Sequence, residues 1–108
     1  IKMKLKRFIS VVKLIEAIKI AHNLGLEIVL GDGLGTEINC WMEARIANGL
    51  IDNAGEYNGF IKIKPEARIL LNPLKFDNGY LIIPKNWNLE IDSDKLQKYS
   101  IVSETIYK

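Results

Sequence analysis

The order of the predicted elements in the first half of the chain limits the fold most strongly: strand, helix, strand, loop, helix. Residues 1–8 alternate apolar and basic side chains with period two, as a β-strand does. Ser10 can cap a helix that ends before Gly25, and the β-branched run 26–30 predicts a buried strand. Two strands joined by a helix are typical of a parallel sheet with its helices packed outside, and the right-handed crossover rule fixes the local topology.

The second predicted helix begins after Thr36 and continues to about Leu50. Glu37 and Glu43 are expected to be surface carboxylates on this helix. Cys40 is the only cysteine of the chain, so it cannot form an internal disulfide and is expected to be a small buried side chain. The residues expected along one side of the helix are Ile38, Trp41, Met42, Arg45 and Ile46.

The remaining segments predict shorter elements. Residues 60–64 have the composition of a third strand, closed by Pro65. The Asp-Asn-Gly run at 77–79 is a turn signal, and the apolar run 80–83 after it predicts a short strand. Residues 94–99 predict at most a short helix. These segments follow the helical part of the chain without repeating its pattern.

Length and charge limit the classes of function. A chain of 108 residues is too short for a complete (β/α)₈ barrel, and 48 % hydrophobic with 26 % charged residues is typical of one soluble globular domain. Fifteen basic and thirteen acidic residues give a net charge of +2, which creates no broad field for nucleic acid or anionic lipid. No apolar run approaches the length of a membrane span, and the N-terminus lacks a secretory signal, so a cytoplasmic location is expected.

The three lysines of the first strand allow two interpretations. Lys2, Lys4 and Lys6 share one face of the predicted strand, and positive charge protects an exposed sheet edge from aggregation. In a parallel barrel, however, the same face lines the interior, and a lysine near the C-terminal end of the strand would point into a reaction site as a base.

Two polar segments follow the predicted strands. The run 31–35, Gly-Asp-Gly-Leu-Gly, joins a strand to a helix N-terminus, where an anion is favoured, although its spacing is not the dinucleotide fingerprint and a tight turn explains it equally well. Asp32 stands at the end of a strand, where α/β enzymes place functional groups. Glu56 lies in the polar segment 53–59, where function is favoured over packing. The sequence contains no cluster with the spacing of metal ligands.

The succession KLKRFISV at 4–11, IVLGDG at 28–33, TEI at 36–38 and WMEA at 41–44 resembles the C-terminal part of the enolase superfamily. It is most similar to the branch of mandelate racemase and muconate lactonizing enzyme. The resemblance implies an α/β fold that is part of a (β/α)₈ barrel. Its last three strand–helix units would end near residue 71, and residues 72–108 would return to the capping domain.

The resemblance also implies roles for named residues. Lys4 falls where the family carries an acid/base lysine, but Ile9 and Ser10 stand where the family has two glycines, so the choice among Lys4, Lys2 and Lys6 stays open. Asp32 and Glu56 correspond to strand ends whose side chains contact the substrate carboxylate or stabilise the enolate. The substrate-binding residues implied around them are Lys2, Lys6, Gly31 and Gly33.

The implied reaction is abstraction of a proton α to a carboxylate, giving an enolate held by Mg²⁺, followed by reprotonation or elimination. In the family, the metal ligands and the opposing base belong to earlier strands, which would precede residue 1. The chain is therefore expected to be an inactive fragment of an isomerase or lyase that self-associates or binds a chain with the missing strands.

A rival interpretation is a small free-standing α/β module that binds an anion at its glycine loop. Nucleic-acid binding through Lys2, Lys4, Lys6 and Arg7 is the weakest interpretation, since the lysines lack interleaved aromatic residues. A strand that begins at residue 1 leaves two origins open: the tail of a longer chain, or a natural start at Met3 behind two foreign residues.

Overall fold

The structure is a computed structural model that describes residues 1–31, 35–83, 88–101 and 104. Over these residues the chain is small and mixed α/β, with three α-helices and two small sheets. The helices are α1 (Val11–Asn23), α2 (Glu37–Ala47) and α3 (Ser93–Tyr99). The strands are β1 (Lys2–Met3), β2 (Val29–Leu30), β3 (Lys75–Asp77) and β4 (Tyr80–Ile82). None of the helices described has the length and apolar content needed to cross a bilayer.

The predicted parallel pairing in the first half is confirmed. Strands β1 and β2 pair in parallel, with Lys2 opposite Val29 and Met3 opposite Leu30, and helix α1 lies between them in the chain. A parallel bridge from Gly31 to Glu56 continues this pairing on the other side of β2. The three parallel segments, β1, β2 and the segment at residue 56, thus lie side by side in the same order as in the sequence.

Helix α1 matches its prediction closely. The Ser10 hydroxyl accepts a hydrogen bond from the amide of Lys13 at 3.3 Å, which caps the first turn. Gly25 adopts a φ of 70° just beyond the helix, a conformation that favours glycine. The residues buried on its inner face are Leu14, Ile18 and Ala21.

The first strand is shorter than the predicted 1–8. Leu5–Arg7 form a 3₁₀ turn, and the Leu5 amide donates to a carboxylate oxygen of Glu43 instead of a neighbouring strand. Lys4 keeps an extended backbone, with φ −139° and ψ 132°, so the alternation holds through Lys4. Lys6 lies in the 3₁₀ turn, and its predicted place on the strand face with Lys2 and Lys4 is wrong.

Helix α2 begins as predicted, because the Thr36 hydroxyl accepts a hydrogen bond from the amide of Asn39 at 3.3 Å. Its predicted side is only partly confirmed: Ile46 is buried and Trp41 packs against Cys40, Phe60 and Leu74, whereas Arg45 is exposed. The expected surface positions of Glu37 and Glu43 are wrong. Glu37 accepts a hydrogen bond from the buried amide of Leu74, and Glu43 accepts one from the half-buried amide of Leu5, so their side of the helix faces inward. The prediction that Cys40 is buried is confirmed. The residues buried on α2 are Glu37, Cys40, Glu43, Ile46 and Ala47.

Two clusters of hydrophobic side chains form the core. The smaller cluster consists of Cys40, Phe60 and Leu74, and it joins α2 to the second half of the chain. The larger cluster packs α1 and α2 against the inner face of the parallel pair. Its buried members are Met3, Leu14, Ile18, Ala21, Ile28, Leu30, Ile46, Ala47 and Ile51.

The predicted third strand at 60–64 is wrong, because Gly59–Lys62 form a 3₁₀ helix. This turn places Phe60 in the smaller cluster, with 2 % of its surface exposed. The Arg68 guanidinium lies 5.5 Å from the centre of the Phe60 ring and donates to the carbonyl of Ile63 at 3.3 Å. Packing of the Phe60 ring and the Arg68 hydrogen bond to Ile63 thus hold this segment, instead of hydrogen bonds to a neighbouring strand.

The turn at 77–79 is confirmed as the turn of an antiparallel hairpin formed by β3 and β4. Asn78 and Gly79 both have positive φ angles, 49° and 81°, as a two-residue type I′ turn requires. The short helix after it is also confirmed as α3, where the Asp92 carboxylate accepts the amide of Lys95 at 3.1 Å.

Residues on either side of position 71 contact each other. Leu70 and Ile91 form an antiparallel bridge, and the amide of Leu71 donates to the carbonyl of Glu90 at 2.7 Å. The C-terminal segment thus returns to the chain just before the predicted boundary between 1–71 and 72–108.

Candidate functional site

The site lies on the face of the parallel pair opposite the helices. Met3 and Leu30 point into the larger cluster, with 7 % and 0 % of their surfaces exposed. Because side chains alternate along a strand and paired residues share a face, Lys2, Gly31 and Glu56 lie on the other face. That face therefore carries a cation and an anion on the two outer segments, with a glycine between them.

Lys2 and Glu56 form an ion pair across this face, between Nζ and Oε2. The two side chains are 44 % and 45 % exposed. A pair exposed to this extent contributes roughly 0–1 kcal/mol to stability, so it does little to hold the fold. Its importance is geometric, since it shows that the chain places both groups at one point.

Gly31 makes the close approach of Glu56 possible. Its φ is 134°, and its amide donates to the carbonyl of Met3 at 3.1 Å. The amide of Glu56 donates to the carbonyl of Leu30 at 2.9 Å, and a Cβ at Gly31 would overlap the Glu56 carbonyl. The structure thus gives Gly31 a backbone role, while its predicted contact with substrate stays a prediction.

The other predicted site residues are placed differently. Lys4 is half-buried and immediately follows β1 in extended conformation, whereas Lys6 is exposed in the 3₁₀ turn. Asp32 and Gly33 lie outside the described residues. The structure therefore brings together Lys2, Gly31 and Glu56 of the predicted set.

Glu43 and Tyr57 are two polar groups next in sequence or by hydrogen bond to residues near the site, and the sequence did not indicate their positions: Glu43 binds the amide that follows Lys4, and Tyr57 follows Glu56. Glu43 is fully buried, and one of its oxygens accepts the Leu5 amide at 2.8 Å. Burial, and secondarily the negative charge of Glu43, raises the pKa of Tyr57 to about 12. Tyr57 is therefore a neutral hydrogen-bond donor through the physiological pH range. Neither residue breaks a periodic pattern, so their positions had no signal in the sequence.

Glu37 is a second buried carboxylate, at the start of α2. Its side chain is 2 % exposed, and Oε2 accepts the amide of Leu74 at 2.8 Å. Within the described part of the chain, its Oε1 has no hydrogen-bond partner. Glu37 thus fastens the segment before the hairpin to α2.

An open cleft of about 960 Å³ lies beside the site. It separates the end of α2 and the segment that carries Glu56 from the hairpin of β3 and β4. Arg45 and Asp52 place opposite charges on its wall, and the aromatic rings of Tyr57, Phe76 and Tyr80 also line it. The cleft is formed by segments distant in sequence, so no local motif indicated it.

The described residues contain no group of three or more His, Cys, Asp and Glu side chains close enough to hold a metal ion. Glu56 is a carboxylate on the open face, but its charge is paired with Lys2. The Mg²⁺ that the family resemblance implies therefore does not fit a site made by these residues alone.

Comparisons of the chain with family models, with curated proteins and with solved structures gave no match.

Proposed function

We propose that the chain is the C-terminal part of an enolase-superfamily barrel, whose parent is a cytoplasmic, Mg²⁺-dependent isomerase or lyase. The supporting observation is that Lys2 and Glu56 meet on the helix-free face of three parallel segments arranged in chain order. In a (β/α)₈ barrel, neighbouring strands follow one another in the chain and the helices cover the outside. The face away from the helices is then the interior, where catalytic groups lie at the C-terminal ends of the strands.

Lys4 is the proposed acid/base group. Its extended backbone continues β1 by one residue beyond Met3, so alternation puts it on the same side as Lys2 and nearer the C-terminal end. A lysine amine there takes the proton α to the substrate carboxylate and returns one in reprotonation. Lys2 offsets the charge of Glu56, so that Glu56 and Asp32 can contact the substrate or its enolate without an excess of negative charge.

Mg²⁺, when bound in the parent enzyme, stabilises the negative charge that develops on the enolate. The described residues offer no cluster for it, so its ligands would belong to other strands of the barrel. Lys2, Lys4 and Lys6 and the backbone around Gly31 and Gly33 are proposed to bind the substrate carboxylate.

The outer edge of β1 is the proposed site for a partner strand. Within the described ranges, no segment pairs with the outer edge of β1. Ile1, which immediately precedes this strand, and Ile9, which follows the 3₁₀ turn, are 60 % and 100 % exposed. An unpaired edge together with exposed apolar side chains favours pairing with another strand. The chain should therefore be inactive alone and either self-associate or bind a chain that supplies the preceding strands.

The test has two arms. Size-exclusion chromatography with light scattering should show a species larger than a monomer. A chain that holds the capping domain and the preceding units of an enolase-superfamily barrel is then added with Mg²⁺. Loss of the α-proton signal of a 2-hydroxycarboxylate such as mandelate in D₂O is followed by NMR, and exchange is expected only in the mixture.

Lys4→Met and Glu56→Gln should abolish this exchange, whereas Lys19→Met, which changes an exposed lysine on α1, should leave it intact. A clean monomer that never supports exchange would contradict the proposal. If that monomer also binds phosphate or a carboxylate without metal, the free-standing anion-binding module is the better explanation.

A further inference from the structure

The segment that carries Glu56 is attached to β2 by an irregular ladder. The amide of Glu56 donates to the carbonyl of Leu30 at 2.9 Å, as in a regular parallel pair. In such a pair the next amide toward the N-terminus, that of Ala54, would donate to the carbonyl of Ile28. The Nδ2 group of Asn53 donates to this carbonyl instead, at 2.7 Å.

The Asn53 side chain therefore replaces a missing backbone donor. Ile28 is fully buried, and a buried carbonyl without a partner is costly, so the amide group satisfies a real need. The same Nδ2 also donates to the carbonyl of Ala54 at 3.1 Å. One side chain thus fixes both the neighbouring strand and the conformation of the segment just before Glu56.

Two glycines provide room for this attachment. A Cβ at Gly31 would overlap the Glu56 carbonyl, and a Cβ at Gly55 would lie 2.6 Å from the carbonyl of Leu30. Neither approach leaves space for a side chain. The backbones of β2 and of the Glu56 segment therefore lie very close to each other at Gly31 and at Gly55. The register between these two backbones then depends on the neighbouring bond from Asn53 to the Ile28 carbonyl.

We propose that Asn53 is a positioning residue that sets the register of this segment and so holds Glu56 beside Lys2. A role of Asn53 in catalysis rests on the proposed function, but its effect on the position of Glu56 does not. Asn53 does not reach the ion pair itself, since its bonds go to the carbonyls of Ile28 and Ala54. It acts on Glu56 only through the backbone.

The experiment compares Asn53→Asp with Asn58→Asp by NMR on the full chain. Both variants add the same charge to the same polar segment, but only the first removes the donor to Ile28. Two readouts need no substrate: the nuclear Overhauser contact between the side-chain protons of Lys2 and Glu56, and hydrogen exchange of the Glu56 amide. For Asn53→Asp we expect loss of the contact and about tenfold faster exchange, the change for about 1.4 kcal/mol of local opening.

Amides of α1 such as Leu14 should keep their protection in Asn53→Asp, and Asn58→Asp should leave every readout unchanged. Asn53→Ala, which removes the donor without adding charge, should reproduce the loss. Retention of the contact and of Glu56 protection in both Asn53 variants would overturn the proposal. So would loss of α1 protection in both, because Asn53 would then support the whole core. None of these results depends on the complementation assay, so the two proposals can fail separately.

Discussion

Two regions of the molecule differ sharply in how they are held. The N-terminal region, residues 1–57, contains ten of the buried hydrophobic side chains that the structure describes, and the C-terminal region, residues 58–101, contains three. Every residue of β3 is exposed, whereas α1 buries Leu14 and Ile18 completely. The candidate site lies on the region with the larger core, which gives Glu56 and Lys2 a firm support.

The C-terminal region depends on the N-terminal one. Phe60 and Leu74 pack on Cys40 of α2, Phe76 stacks on Phe60 with 5.7 Å between ring centres, and Glu37 binds the Leu74 amide. A two-stranded hairpin is marginally stable alone, so these contacts decide whether it is ordered. We therefore expect the C-terminal region to open at lower free energy than the N-terminal region.

The largest expected effect is on the larger cluster. Leu14→Ala should lower the free energy of unfolding by about 2–5 kcal/mol, because it removes a fully buried side chain and leaves a cavity. Urea denaturation followed by circular dichroism measures the loss. Val12→Ala, at a position 62 % exposed on the same helix, should change stability by less than about 0.5 kcal/mol. Equal effects at the two positions would contradict the conclusion that burial in the larger cluster holds the N-terminal region.

Phe60→Ala should affect the C-terminal region selectively. The substitution removes a ring that is 2 % exposed and that stacks on Phe76. It should lower the free energy of unfolding by about 3 kcal/mol, the low end for such substitutions. Hydrogen exchange of β3 and β4 should accelerate while α1 stays protected. The control is Ile61→Ala, whose side chain is 54 % exposed. If α1 loses protection together with the hairpin, the two regions unfold as one unit.

Glu37 tests the link between the regions at a single bond. Glu37→Ala should cost about 1–3 kcal/mol, because the buried Leu74 amide loses its acceptor. Glu37→Gln keeps an acceptor oxygen and removes the charge, so it should cost less than Glu37→Ala. Thermal unfolding of both variants measures the difference, and an Ala variant as stable as the Gln variant would exclude a role for this bond.

The smallest expected effect concerns Tyr57 at high pH. Its pKa rises from 10.0 in the unfolded chain to about 12 in the fold, so the fold favours the protonated phenol. The associated stabilisation is complete below pH 10 and is lost as the pH rises toward 12. Urea denaturation at several pH values should show a shallower fall in this range for Tyr57→Phe than for the original chain. An equal slope in both would mean that the phenol is not buried.

The elements predictable from the sequence are those with local signals. These signals act through hydrogen bonds or backbone angles within a few residues of the chain. They are the helix cap at Ser10, the helix end at Gly25 and the turn at Asn78 and Gly79. The inner face of α2 was not predictable, because Glu37 and Glu43 are turned inward by amides 37 and 38 residues away.

The candidate site was predictable in part. Alternation predicted that Lys2 and Met3 lie on different faces of the first strand, and the polar segment 53–59 indicated Glu56 as a candidate. No pattern in the sequence indicated that Lys2 and Glu56 would form an ion pair. That pairing needs the Gly31 bridge and the Asn53 bond, which join segments 25 residues apart. The strand predicted at 60–64 failed for a similar reason, since packing of Phe60 in the smaller cluster outweighed its β-forming composition.

A direct test is an isotope-edited nuclear Overhauser experiment on the full chain, combined with hydrogen exchange of the Glu56 amide. The account predicts contacts between the side-chain protons of Lys2 and Glu56, and slow exchange of an amide bound to the Leu30 carbonyl. Absence of these contacts, with the Glu56 amide exchanging as fast as in an unfolded peptide, would show that Lys2 and Glu56 do not share the helix-free face and would contradict the proposed function.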